Sequence, residues 1–144
     1  MGEQEYRVAP SGFTREQWDE FMEEGMLVIE DALTEEECDR YIDMIDTVAA
    51  RSEKYDPSKF FGPNNIVERH PEFAELIDHP RHIGFMYDVY GELLKLHISQ
   101  FFLRPRDTNR NKWHPDGARA LPYSVFSPVM PMQIKVAYWL TDLP

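Results

Sequence analysis

The hydrophobic period of this chain changes once, near Gly91, and that change limits the folds open to it. Upstream, apolar residues recur at helical spacing. Thr14 followed three residues later by Gln17 is the pattern of a capping box, and Trp18, Phe21 and Met22 form a short stripe before Gly25, which is placed to stop the helix. A second box, Thr34 with Glu37, opens a longer helix whose apolar face is Cys38, Tyr41, Ile42, Ile45, Val48 and Ala49. Between the two helices, MLVIE at 26–30 reads as a short buried strand, and 52–65 is Pro-, Gly- and polar-rich enough to be an irregular loop. Pro71 and Pro80 stand near the first turns of two short helices, over 71–78 and 80–90, the second ended by Gly91.

Downstream, the pattern is that of extended backbone, in which alternate side chains share a face. In LLKLHISQFFL (93–103), Leu94, Leu96, Ile98 and Phe102 lie on one side together with Gln100. In MQIKVAYWL (132–140), Met132, Ile134, Val136, Tyr138 and Leu140 alternate with Gln133, Lys135, Ala137 and Trp139. Helices first and strands afterwards predict an α+β arrangement, helices packed on β-structure. A jelly roll takes about eight strands, and roughly half that number are visible. The 144 residues therefore read as a single domain, 1–91 mainly helical and 92–144 the first strands, with more chain expected beyond Pro144.

Composition excludes several partners. The net charge of −11 is concentrated in residues 1–56, with seventeen Asp and Glu against five Lys and Arg, while 57–144 is nearly neutral. Nucleic acid needs a concentrated basic surface, so it is not an expected partner. Nothing approaches eighteen consecutive apolar residues, so no membrane span is expected, and the opening MGEQEYRVAPSG has no apolar signal core. The lone Cys38 falls on a predicted apolar stripe and reads as a core residue in a reducing, cytoplasmic setting.

Chemistry points to His114-Pro115-Asp116. On extended backbone, residues two apart project to one face, so an imidazole and a carboxylate converge there. One nitrogen and one oxygen donor suit a borderline divalent metal, and a further histidine would complete a facial triad of the kind that holds non-haem iron(II). An alternative stays open: a surface turn in which Asp116 bonds local backbone before Gly117.

Several strings in order, GFTREQWDEFMEEGMLVIEDALTEEECDRY, LHISQFFLRP, WHPDG and QIKVAYWLTDL, together resemble the phytanoyl-CoA dioxygenase family of iron(II)- and 2-oxoglutarate-dependent oxygenases, from about Gly12 to Leu143. The resemblance implies a double-stranded β-helix (jelly-roll) core with N-terminal helices packed against it, of which this chain would supply the first part. It implies an enzyme that couples oxidative decarboxylation of 2-oxoglutarate to hydroxylation of a small organic substrate by dioxygen. His114 and Asp116 would be the iron(II) ligands and catalytic pair, and Gln100 and Trp139 would line the 2-oxoglutarate pocket. The family's distal histidine and its 2-oxoglutarate-binding arginine come from a later strand, so the resemblance also implies a fragment lacking both.

Other readings of the same residues stand beside this one. Gln100 is equally a core hydrogen-bonding residue and Trp139 a packing residue. Arg104, Arg106, Arg110, Lys112 and Arg119 around the motif could attract an anionic substrate or simply solvate a loop. His-Pro-Asp also marks J-domain co-chaperones, but there it joins two helices after a basic one, and strand-like sequence precedes it here. The remaining alternative is a non-catalytic jelly-roll binding domain that has lost its metal site.

Overall fold

The computed structural model describes residues 11–106, 131 and 133–142. Three α-helices carry the architecture: α1 (Arg15–Glu24), α2 (Glu35–Ala50) and α3 (Ile83–Tyr90), with short 3-10 helices at Ile66–Glu68 and Pro71–Leu76 between α2 and α3. Both predicted capping boxes form. Thr14 accepts the Gln17 N–H at 3.2 Å while its own N–H donates to Gln17 Oε1 at 3.0 Å. Thr34 and Glu37 repeat the exchange at 3.2 and 2.8 Å, and the Thr34 N–H holds the Glu37 carboxyl below its usual range. Gly25 ends α1 with φ of 70°, a left-handed conformation open to glycine without cost.

Phe13 anchors α1. It precedes the cap and lies edge-on to Trp18 at 5.3 Å, a hydrophobic staple, and it also packs on Phe85 of α3 at 4.6 Å. The Phe13 N–H donates to Asp88 Oδ2 at 2.7 Å. Asp88 approaches Gly12 so closely that an added Cβ would collide with its carboxylate. Glycine is therefore required there by contact rather than by backbone angle.

The core lies against α2. Tyr41, Met44, Val48 and Ala49 meet Phe61, Ile66, Phe73 and Phe101, with Leu33, Ile45, Leu103 and Leu140 packed around them. Phe101 sits between Phe61 and Phe73, at 6.0 and 6.1 Å. Cys38 is half-buried on α2, and burial pushes its thiol pKa up.

The expected α+β jelly-roll core is overturned. Among the described residues there is no β-strand and no sheet; 26–30, 93–103 and 133–140 run without helix but form no ladder. Two isolated antiparallel bridges remain, Phe61 with Leu103 and Asn64 with Gln100. A physical reason is visible in the register. Phe61 and Leu103 exchange both backbone hydrogen bonds, at 3.0 and 2.8 Å. The next such exchange would join residues 63 and 101, and Pro63 has no N–H to give. The ladder is interrupted there, and the one further bridge in the same register, Asn64 with Gln100, stays isolated. At 26–30 the alternation is present but the face is open, with Met26 64% and Val28 67% exposed.

Candidate functional site

The motif His114-Pro115-Asp116 lies outside the described residues. The two residues predicted to flank it from neighbouring segments are described, and both present open side chains. Gln100 is exposed, its backbone bridged to Asn64. Trp139 is 66% exposed.

The facing of residues 98–103 is the reverse of the predicted one. Phe101 is buried and Leu103 half-buried, whereas Ile98 and Phe102, expected inside, are exposed together with Gln100. The aromatic residue at 101 decides the outcome, because it fills the space between Phe61 and Phe73. Phe102 turns outward onto Phe60 at 5.5 Å, across the face of Gly62, where a Cβ would strike both rings. The Arg104 guanidinium lies 5.1 Å from the Phe60 ring centre. Along 133–142 the predicted alternation is kept only at its end: Tyr138 and Leu140 go inward and Trp139 outward, while Val136, expected on the face of Tyr138, is exposed and Gln133, on the opposite one, is half-buried.

Tyr138 enters a polar cluster that the sequence did not single out. Its hydroxyl is 2.6 Å from His82 Nδ1, and His82 Nε2 is 3.3 Å from the carbonyl oxygen of Ile77. A carbonyl only accepts, so Nε2 carries the proton and Nδ1 accepts from the tyrosine. His79 lies parallel to His82, ring centres 6.4 Å apart; its Nδ1 accepts the Arg81 N–H at 3.3 Å, and its Nε2 faces Glu37 at 4.0 Å. Both imidazoles are buried. Burial holds the His82 pKa below the ordinary histidine value and, with Tyr41 and Glu37 nearby, pushes the Tyr138 hydroxyl up to about 12. The signal available in sequence was His79-Pro80-Arg81-His82, two histidines at turn spacing after a 3-10 helix. It reads as ordinary helix-terminal sequence without knowledge that Tyr138 arrives from 56 residues away.

A second polar feature is an open groove of about 510 Å³ beside α2, bordered by Glu36, Asp43, His70 and Glu72. Its cation, Arg40, is already engaged by Glu75 at 2.9 Å and Glu72 at 3.4 Å. Among the described residues no group of three His, Cys, Asp or Glu is placed to hold a metal ion, and no helix is long and apolar enough to cross a membrane.

No family model, curated protein or solved structure matches this chain. Its function rests on its own residues.

Proposed function

We propose that this chain is part of an iron(II)- and 2-oxoglutarate-dependent oxygenase that hydroxylates a small organic substrate, with His114 and Asp116 as two of the metal's protein donors. One observation carries the reading: WHPDG stands between LHISQFFLRP and QIKVAYWLTDL, in the order in which that oxygenase family arranges its metal-binding segment. The donor set fits in kind. A neutral imidazole and a carboxylate are the nitrogen and oxygen ligands that a borderline divalent ion takes, and a third donor is needed to complete the triad. No histidine follows His114 in the sequence, so residues 117–144 do not supply a second imidazole.

When bound, the metal and 2-oxoglutarate would supply the activation of dioxygen and the electrons for it, with succinate and carbon dioxide as the co-product pair. The chain's own contribution is positional. His114 and Asp116 would hold the ion, and Gln100 and Trp139, both exposed, would offer an amide and an indole face to the co-substrate.

The test is succinate formation from 2-oxoglutarate, with iron(II) and ascorbate, by the protein at the full length its gene encodes. His114→Ala and Asp116→Ala should each remove turnover, a loss of at least about a hundredfold for a ligand that positions the reacting centre. Unchanged turnover in either variant removes the assignment.

A further inference from the structure

We propose that Tyr138 and His82 form a redox pair, in which Tyr138 gives one electron to a strong one-electron oxidant while its phenolic proton passes to Nδ1 of His82. The O–H bond of Tyr138 breaks and an N–H bond forms at Nδ1. The electron reduces the oxidant, an outer-sphere metal complex by class, and leaves a neutral phenoxyl radical facing an imidazolium. One electron from a small-molecule reductant of the ascorbate class reverses both movements.

The geometry carries the step. A phenol that has lost an electron is a strong acid, so its oxidation is held back unless a base stands at its hydrogen. Here the Tyr138 hydroxyl donates to Nδ1 across 2.6 Å, a short hydrogen bond. The Ile77 carbonyl, 3.3 Å from Nε2, keeps the ring proton on that nitrogen and leaves the Nδ1 lone pair to the tyrosine. After transfer, Nδ1–H donates back to the phenoxyl oxygen and Nε2–H stays on Ile77, so no heavy atom has to move. Leu140, packed on the core two residues further on, holds the ring in place.

Stepwise routes are opposed by the surroundings. Burial pushes the Tyr138 hydroxyl up to about 12, which closes prior deprotonation near neutral pH. Electron loss without proton loss would leave an unpaired cation on a half-buried ring. Burial and His79 oppose the charge arriving on His82, while the Ile77 carbonyl and Asp78 favour it.

Two other tyrosines show what the pair adds. The Tyr41 hydroxyl accepts from Arg40 at 3.3 Å, and the buried Tyr90 hydroxyl has no hydrogen-bond partner. Neither has a base to take its proton. Trp139, next in the chain and 66% exposed, is the surface through which an oxidant in solution reaches Tyr138. The pair stands independently of the metal chemistry proposed above.

The experiment is flash-quench oxidation of the whole chain by photogenerated tris(bipyridine)ruthenium(III). Transient absorption follows the tyrosyl radical, and freeze-quenched samples give its electron paramagnetic resonance spectrum. The wild type should form the radical more slowly in deuterium oxide than in water. Tyr138→Phe should remove most of the yield, and Tyr90→Phe should leave it. His82→Gln keeps an acceptor for the hydroxyl but offers no base, and should slow radical formation by about a hundredfold. An undiminished yield in Tyr138→Phe, an unchanged rate in His82→Gln, or an oxidising equivalent that stays on tryptophan overturns the pair. Should either variant fail to fold, the wild-type radical decides alone. Coupling to an exchangeable proton borne on an imidazole nitrogen supports the pair, and a radical without that coupling overturns it.

Discussion

Residues 11–91 and residues 92–142 both carry hydrophobic period and punctuation, yet only the helices of the first region form as the pattern predicts; its one expected strand, 26–30, fails like those of the second. In the first, α1 and α2 begin at the predicted caps, and Gly25 and Gly91 end helices where expected. In the second, alternation predicted strands, and the described residues form none. The difference lies in where the partner is. A capping box is closed within four residues, so Thr34 and Glu37 settle it between themselves. A strand is completed by another segment, and residues 100–103 meet a partner carrying Pro63, which interrupts the ladder between its two bridges. Alternation specifies extended backbone; it does not supply the neighbour.

The largest effect should come from the contact joining the two regions. Phe73→Ala removes a fully buried ring that touches Phe101, and should destabilise the protein by about 3–5 kcal/mol, read as a shift in the urea midpoint. A loss under about 1 kcal/mol would mean that 99–103 is not held by the helical core. Next is the locally closed region. Thr34→Ala should cost about 1 kcal/mol and Thr34→Asp much less, since aspartate keeps an accepting oxygen at the cap. Equal losses would place the role of Thr34 elsewhere than its cap.

A smaller effect sharpens the contrast further. Pro63→Val restores the missing donor, and an amide at position 63 that resists hydrogen exchange is the expected outcome. The net stability change should stay within about 1 kcal/mol, because the added hydrogen bond is offset by a freer unfolded chain. An unprotected amide would show that something other than the absent N–H stops the ladder. Smallest of all, Trp139→Ala should move stability by no more than about 0.5 kcal/mol, given its exposure. The same variant should weaken 2-oxoglutarate binding if the proposed function holds.

The sequence made α1, α2 and the Pro71 turn legible because their determinants are local. It also put Tyr138 and Leu140 on one face, and both turn inward, whereas Val136 of that same face is 41% exposed. It reversed the facing at 98–103, because Phe101 and Phe102 are adjacent, both large and apolar, and periodicity cannot choose between them. Packing between Phe61 and Phe73 chose Phe101. The His79–His82–Tyr138 cluster stayed hidden for the same reason: each residue is unremarkable until a segment far along the chain is laid over the turn. Of the candidate site, Gln100 and Trp139 are placed by the structure as accessible side chains, while His114 and Asp116 rest on the sequence pattern.

The central claim is that a divalent ion binds at His114 and Asp116 rather than on the acidic surface that carries most of the net charge. Manganese(II) titrated into isotope-labelled protein reports this site by site, through paramagnetic broadening of backbone resonances. Signals from 113–117 should broaden first, ahead of those from the Glu- and Asp-rich turns of α1 and α2, and His114→Ala should abolish that priority. Broadening that begins on the acidic helices, and is the same in His114→Ala as in the wild type, would contradict the account.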